Sequence, residues 1–122
     1  MALPVGPYTP IVRAGDFLIC SGQLGLADGN LVDGLTAQVT QAVSNVASML
    51  NSEGAALHNV VKTTVLLTDM GDYAEMNEAY VAAFGGHRPA RTAFATAGLP
   101  LGALVEIEAW AFFPPGGSAI GL

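Results

Sequence analysis

The segment ALVEIEAWAFF, residues 103–113, constrains the fold more than any other part of the chain. It reads as a long strand, and successive strand residues point to opposite faces. Val105, Ile107, Ala109, Ala111 and Phe113 therefore share one face, and Leu104, Glu106, Glu108, Trp110 and Phe112 share the other. The first set suits packing beneath helices. The second mixes large apolar groups with two carboxylates about 7 Å apart along the strand. A solvent face would not want Leu, Trp and Phe, and a dry core would not want two glutamates. A subunit interface containing a polar pocket satisfies both demands.

The cover for the first face is legible upstream. Val39, Ala42, Val43, Val46, Ala47 and Leu50 follow the i, i+3, i+4 spacing of an amphipathic helix. Thr36 as N-cap and Gly54 as C′ residue place that helix at about 36–53. Before it, DFLICSG (16–22) reads as a strand, and Asp28-Gly29 is a two-residue hairpin signal between extended segments. After it, NVVKTTVLLTD (59–69) is β-branched and reads as a central strand. Asp69 or Asp72 then caps a second helix at about 71–84, with Tyr73, Met76, Tyr80 and Phe84 along one face, and Gly85-Gly86 ends it. ARTAFAT (90–96) is a further strand, and PPGGSAIGL (114–122) is a flexible tail without regular structure. The order β-β-α-β-α-β-β predicts a single α+β domain over 1–122, core about 4–113, with both helices on one face of one sheet.

Composition agrees with an assembling protein. The chain is 52% hydrophobic and 11% charged, against roughly 25% charged in an ordinary soluble domain. So much apolar surface on 122 residues suggests burial against other subunits. No apolar run approaches the ~18–20 residues of a membrane span. The stretch MALPVGPYTP lacks the basic and apolar regions of a signal peptide. The expectation is a cytoplasmic protein with no membrane partner. A net charge of −6 with four dispersed cations offers no basic stripe for phosphates, which disfavours nucleic acid. One well-placed arginine still suffices for a small carboxylate.

Motif chemistry is sparse. There is no Gly-rich phosphate loop after a strand, no G-x-S-x-G elbow and no H-E-x-x-H. His58 and His87 lack ligand-like neighbours, so no metal and no cofactor are expected. Cys20, inside an apolar strand with no nearby cation, reads as a small buried hydrophobe. What remains is Arg91 in GGHRPART, Glu106, the SGQ at 21–23 and Tyr8 in GPY. Arg91 has two readings. It is a surface cation paired with Glu106 or Glu108 across neighbouring strands, or a carboxylate anchor, because guanidinium presents a planar donor fork.

GPY near the N-terminus, SGQ closing the first strand, VVKTTVLLTDMGDYAEMNEAY, RPART and VEIEAWA, in this order over about residues 4–113, resemble the Rid (YjgF-like) family of reactive-intermediate imine/enamine deaminases. The resemblance implies a chorismate-mutase-like fold with a mixed sheet and a homotrimer with clefts between subunits. It also implies hydrolysis of 2-imino or 2-enamino acids, such as 2-aminoacrylate, to 2-keto acids and ammonia. By that similarity Arg91 holds the substrate carboxylate and Glu106 positions the attacking water. Tyr8 lines the cleft, Gly22 offers backbone contacts, and Asn77 matches the family's helix asparagine. The family often has Cys or Ser two residues after the arginine, where this chain has Ala93, and proline is common after SGQ, where it has LGLADGN. Two rival readings are a non-catalytic member that binds a small carboxylate or a protein, and a ribonuclease or translation inhibitor. The acidic charge and the lack of paired histidines argue against the latter.

Overall fold

A computed structural model describes residues 4–116. Its main sheet has five strands in the order β1-β2-β7-β5-β6. These are β1 (Ile11–Ala14), β2 (Phe17–Leu24), β5 (Val60–Leu67), β6 (Ala90–Ala95) and β7 (Val105–Phe112). Every neighbouring pair is antiparallel except β5–β6, which is parallel. A separate two-stranded ribbon pairs β3 (Leu26–Ala27) with β4 (Asn30–Leu31). The helices are α1 (Leu35–Ser52) and α2 (Tyr73–Phe84).

The main sheet and helices follow the expected β-β-α-β-α-β-β order. Its first strand is Ile11–Ala14, a segment that the hydrophobic pattern does not mark. Only Ile11 of its four residues is partly buried and the other three are exposed, so no alternation signals it. The Asp28-Gly29 turn does form, with φ of 52° and 82°, the left-handed pair that a two-residue hairpin requires. It joins β3 to β4 and lies outside the main sheet. The tail expected over 114–122 falls, from residue 117 on, outside the described residues.

The core lies between the sheet and the helices. Val105, Ile107, Ala109 and Ala111 of β7 are fully buried, as their alternation requires. They pack with Leu18 and Cys20 of β2, Val65 and Leu67 of β5, and the buried stripes of α1 (Val39, Val43, Val46, Leu50) and α2 (Met76, Tyr80, Phe84). At about 1.5–3 kcal/mol for each large apolar side chain removed from water, this shared face dominates stability.

Helix ends are set by local chemistry. The N-cap of α1 is Gly34, at φ 91°, and not Thr36. The chain enters the helix through a left-handed residue, which glycine adopts without penalty. Thr36 lies within the first turn and donates from Oγ1 to Glu75 Oε2 of α2 at 2.8 Å. At the other end Gly54 takes φ 87°. Gly54 N–H donates to Asn51 O and Ala55 N–H to Leu50 O, the reciprocal pair of a Schellman close. Asp69, not Asp72, accepts from a backbone N–H (Gly71, 2.8 Å) and starts the short turn leading into α2.

One contact fixes how closely α1 approaches the strands. A Cβ on Gly25 would sit 2.6 Å from Gln38 Cα and 2.8 Å from its carbonyl oxygen. The buried Gln38 side chain itself bridges two loops, donating to Val32 O at 3.1 Å and accepting from Leu104 N–H at 2.9 Å. Gly25→Ala should therefore force helix and strand apart and lower unfolding free energy by about 1–3 kcal/mol. The expected readout is a lower denaturant midpoint at unchanged m-value. An unchanged midpoint would show that the contact relaxes freely.

Candidate active site

Arg91 is the second residue of β6, the strand at the edge of the sheet. In the parallel β5–β6 register it lies beside Thr63, whose side chain is fully buried beneath α2. Arg91 therefore faces the helix side. Its guanidinium carbon lies 4.9 Å from the Tyr80 ring centroid and 5.6 Å from that of Tyr73. Nη2 donates to Tyr73 Oη at 3.0 Å, and Nη1 approaches Met76 Sδ at 3.7 Å. These contacts are all with neutral groups of α2. The reading of Arg91 as a cation paired with Glu106 or Glu108 is not what the structure shows. Cation–π contacts of this kind stabilise by about 0.5–2 kcal/mol each, and they leave further N–H donors of the fork without an anion among the described residues.

Tyr80 Oη and Thr63 Oγ1 are 2.7 Å apart in a hydrogen bond. Burial pushes the Tyr80 phenol above its ordinary pKa, while the Thr63 hydrogen bond and the charges of Arg91 and Arg88 pull it down. Asn77, on the same helix, has a buried Oδ1 without a hydrogen-bond partner among the described residues. Such an acceptor costs about 1–3 kcal/mol unless a donor beyond the described residues, a water included, meets it.

The opposite face of the sheet carries a second constellation. Tyr8, Gly22, Glu106 and Glu108 line one cleft of about 280 Å³, together with Val5, Ser21, Leu24 and Pro100. An irregularity in the β2–β7 pairing between Cys20 and Gln23 brings Gly22 against Glu106. A Cβ there would overlap the Glu106 carboxylate, with Cδ only 2.8 Å away, so residue 22 must be glycine for Glu106 to keep its place. The N-terminal segment that carries Tyr8 is tied down by Ser21, which donates from Oγ to Thr9 O at 2.6 Å and from its N–H to Pro10 O at 2.8 Å. Burial, and then the neighbouring Glu108 charge, raise the pKa of Glu106 above the ordinary glutamate value. The rest of this face is open and mixes large apolar groups, Trp110 41% and Phe94 47% exposed, with Thr64 and with Lys62, which donates to Thr92 Oγ1 at 2.6 Å.

Tyr8, Gly22 and Glu106 thus meet within one chain, whereas Arg91 does not join them. Glu106 pairs with Leu66, and Leu66 with Phe94, so these three share the open face. Arg91 pairs with Thr63, and Thr63 with Ala109, so these three share the helix face. Asn77 belongs to α2, on the Arg91 side. The aromatic and thioether surroundings of Arg91 are what the sequence reading missed. Tyr73, Met76 and Tyr80 were visible as a helix stripe, but their meeting with Arg91 depends on the parallel register of β5 and β6.

Other candidates carry less. Burial pushes the Cys20 thiol up to about 12, which rules out a thiolate at neutral pH. His58 is exposed, and His87 Nε2 is hydrogen-bonded to Val60 O at 2.6 Å. Among the described residues no group of three or more His, Cys, Asp or Glu is arranged to hold a metal ion. Among them no helix is long and apolar enough to cross a membrane.

A mixed five-stranded sheet with both helices on one face, a clamped arginine at its edge and a glutamate cleft on its open side define a chorismate-mutase-like α+β protein. A family profile described as Endoribonuclease L-PSP matches residues 1–113, and the chain belongs to that family, also called YjgF, RutC or Rid. It is 44% identical over 114 residues to a mouse 2-iminobutanoate/2-iminopropanoate deaminase, covering 91% of this chain and 84% of that one. It is 41% identical over 112 residues to a RutC family protein of Pyrococcus horikoshii, covering 89% of each. Among solved structures, RidA from an Antarctic Psychrobacter superposes with a TM-score of 0.87 at 38% identity, covering 91% of this chain and 92% of that one. TdcF of E. coli with bound serine superposes with a TM-score of 0.85 at 31% identity, covering 89% and 90%.

The two glutamates give a direct electrostatic test. The folded chain holds the Glu106 proton to higher pH than the unfolded chain does. Stability contributed by this group is therefore lost as pH rises from the ordinary glutamate range through the raised value. Glu108→Gln removes one of the two causes and should lower the Glu106 pKa, read from carboxyl ¹³C shifts during titration. A Glu106 titration that does not move would mean that the two carboxylates are screened from each other.

Proposed function

We propose that the protein hydrolyses reactive 2-imino and 2-enamino acids, such as 2-aminoacrylate, to 2-keto acids and ammonia. The reaction takes place in clefts between three copies of the chain. The observation that carries this reading is the division of the site. Arg91 and Glu106 face opposite sides of one sheet, so a cleft using both needs the edge of one copy against the open face of another. The large apolar groups exposed on the open face, Trp110 and Phe94, support such an assembly, since exposed apolar patches mark interaction surfaces. The relatives named as imine deaminases support the chemistry.

In this arrangement the Arg91 fork binds the substrate carboxylate and presents C2 to the neighbouring chain's cleft. Glu106, as the carboxylate, accepts a proton from a water held against C2. The water oxygen bonds to C2 while the C=N π pair moves to nitrogen, which takes a proton and gives a carbinolamine. Glu106, a carboxylate again once its proton has gone to that nitrogen, takes the carbinol O–H proton and passes it to the amine, so that C=O forms as the C–N bond breaks and the keto acid and ammonia leave with Glu106 as the carboxylate. An enamine first takes a proton at C3 and gives one up from nitrogen, becoming the imine. The raised pKa of Glu106 suits a group that must both accept and return a proton. Fixing the carboxylate lowers the barrier by positioning, worth several kcal/mol in favourable geometry. Asn77, with its unpaired acceptor, and Tyr8, as a cleft wall, complete the substrate contacts.

Imino acids generated freshly by an amino-acid oxidase test the proposal, with keto-acid release followed against the uncatalysed rate. Arg91→Ala should abolish acceleration while the assembly stays folded. Glu106→Gln should lower kcat by about 10²–10⁴-fold while keto-acid binding survives. Glu108→Gln should leave kcat nearly intact. Wild-type protein that binds keto acids without accelerating their release would favour a non-catalytic carboxylate-binding protein instead.

Assembly is tested separately. Ultracentrifugation should give about three times the 12.4 kDa chain mass, and Trp110→Glu should shift it toward monomer. A wild-type monomer at micromolar concentration would remove the shared cleft.

A further inference from the structure

Thr63 is fully buried on a strand whose other helix-facing neighbours, Val65 and Leu67, are purely apolar. Among the described residues its side chain is hydrogen-bonded to Tyr80 Oη, at 2.7 Å, and Tyr80 is itself 4% exposed. A buried hydroxyl is unfavourable unless paired, and a Val facing a Phe would fill the same space without polar atoms. The pair is therefore not explained by core packing. What it touches is Arg91. Thr63 and Arg91 are direct neighbours in the β5–β6 register, and the Tyr80 ring, reaching down from α2 to Thr63, lies against the guanidinium at 4.9 Å.

We propose that Thr63 and Tyr80 are positioning residues, whose hydroxyl pair locks the Tyr80 ring against Arg91 and so fixes where the guanidinium fork points. The inference rests on the reading of Arg91 as the carboxylate anchor. Of the two rings flanking Arg91, Tyr73 is 38% exposed, whereas Tyr80 is buried and packed against Phe84 with ring centroids 4.7 Å apart. Tyr80 is the fixed wall, and the Thr63 hydroxyl fixes its rotation about the helix. An arginine on a free stem surrenders rotamer entropy on binding an anion. A guanidinium already held against a latched ring has surrendered most of it beforehand, which lowers the ligand concentration the site needs.

The test reads Arg91 order directly, and substrate binding beside it. The Arg91 Nε–H group is assigned in ¹⁵N spectra with Arg91→Lys, and its order parameter is measured in the assembled protein. The wild type should be rigid, near the value of ordered backbone, and Tyr80→Phe, Thr63→Val and the double variant should each fall toward the flexible range, below about 0.6. The double variant replaces both hydroxyls with apolar groups and should keep near wild-type stability, so that lost order there cannot be attributed to misfolding. In the same proteins KM for the imino acid, and Kd for 2-oxobutanoate, should rise about three- to tenfold at nearly constant kcat. Thr63→Ser should restore both. A mobile Arg91 in the wild type, or unchanged order in the folded double variant, would overturn the proposal. Loss of Arg91 order in a protein with no imine turnover would sustain the latch and defeat the deaminase reading.

Discussion

The structure depends on the two-sidedness of β7. Four of its residues, Val105, Ile107, Ala109 and Ala111, are sealed beneath the helices, and the alternate residues face outward. Because β7 is the middle strand of five, its pleat sets the faces of β2 and β5 through register, and those of β6 through β5. The sealed face supplies the hydrophobic energy of folding. The open face is free to carry carboxylates, since Glu106 and Glu108 need not fit a dry core. The same pleat sends Arg91 to the helix side, where α2 can hold it.

The two halves of the candidate site solve opposite electrostatic problems. Arg91 lies in a neutral setting of two tyrosine rings and a thioether, which favours a cation, and among the described residues no carboxylate competes for it. An intrachain salt bridge would occupy the donors that an incoming anion needs. Glu106 is treated in the reverse way. Burial and the adjacent Glu108 both oppose its ionisation, so its proton is held more tightly than that of an exposed glutamate. A cation left unpaired and an acid made more basic are reasonable partners for a small carboxylate bearing an electrophilic carbon.

Much of this was legible in the residues. The stripe from Val39 to Leu50 and the alternation from Val105 to Phe113 locate α1, β7 and the core, because both patterns report burial directly. The β1 strand was not legible, since an exposed edge of four residues has no burial pattern to report. The cap of α1 was misplaced at Thr36 because sequence shows a hydroxyl able to cap but not the left-handed entry through Gly34. Tyr8, the SGQ segment and Glu106 stand out in the residues, their roles come from family resemblance, and the structure brings Tyr8, Gly22 and Glu106 to one cleft. The clamp on Arg91 was hidden, as it arises from residues 63, 73, 76, 80 and 91 meeting through a parallel crossover. No local spacing encodes that.

The register of β7 also bears on how such a chain can change over generations. Point substitutions at 104, 106, 108, 110 or 112 alter the open face while the sealed face stays intact, so cleft chemistry can drift without rebuilding the core. A one-residue insertion or deletion within the strand has no such freedom. It would rotate every downstream side chain to the other side, sending Trp110 or Glu108 inward and Ile107 or Ala109 outward. Length in this strand is therefore held far more rigidly than composition on its outer face. Variation among chains of this kind should accumulate there as exchanges of side chain and almost never as gaps.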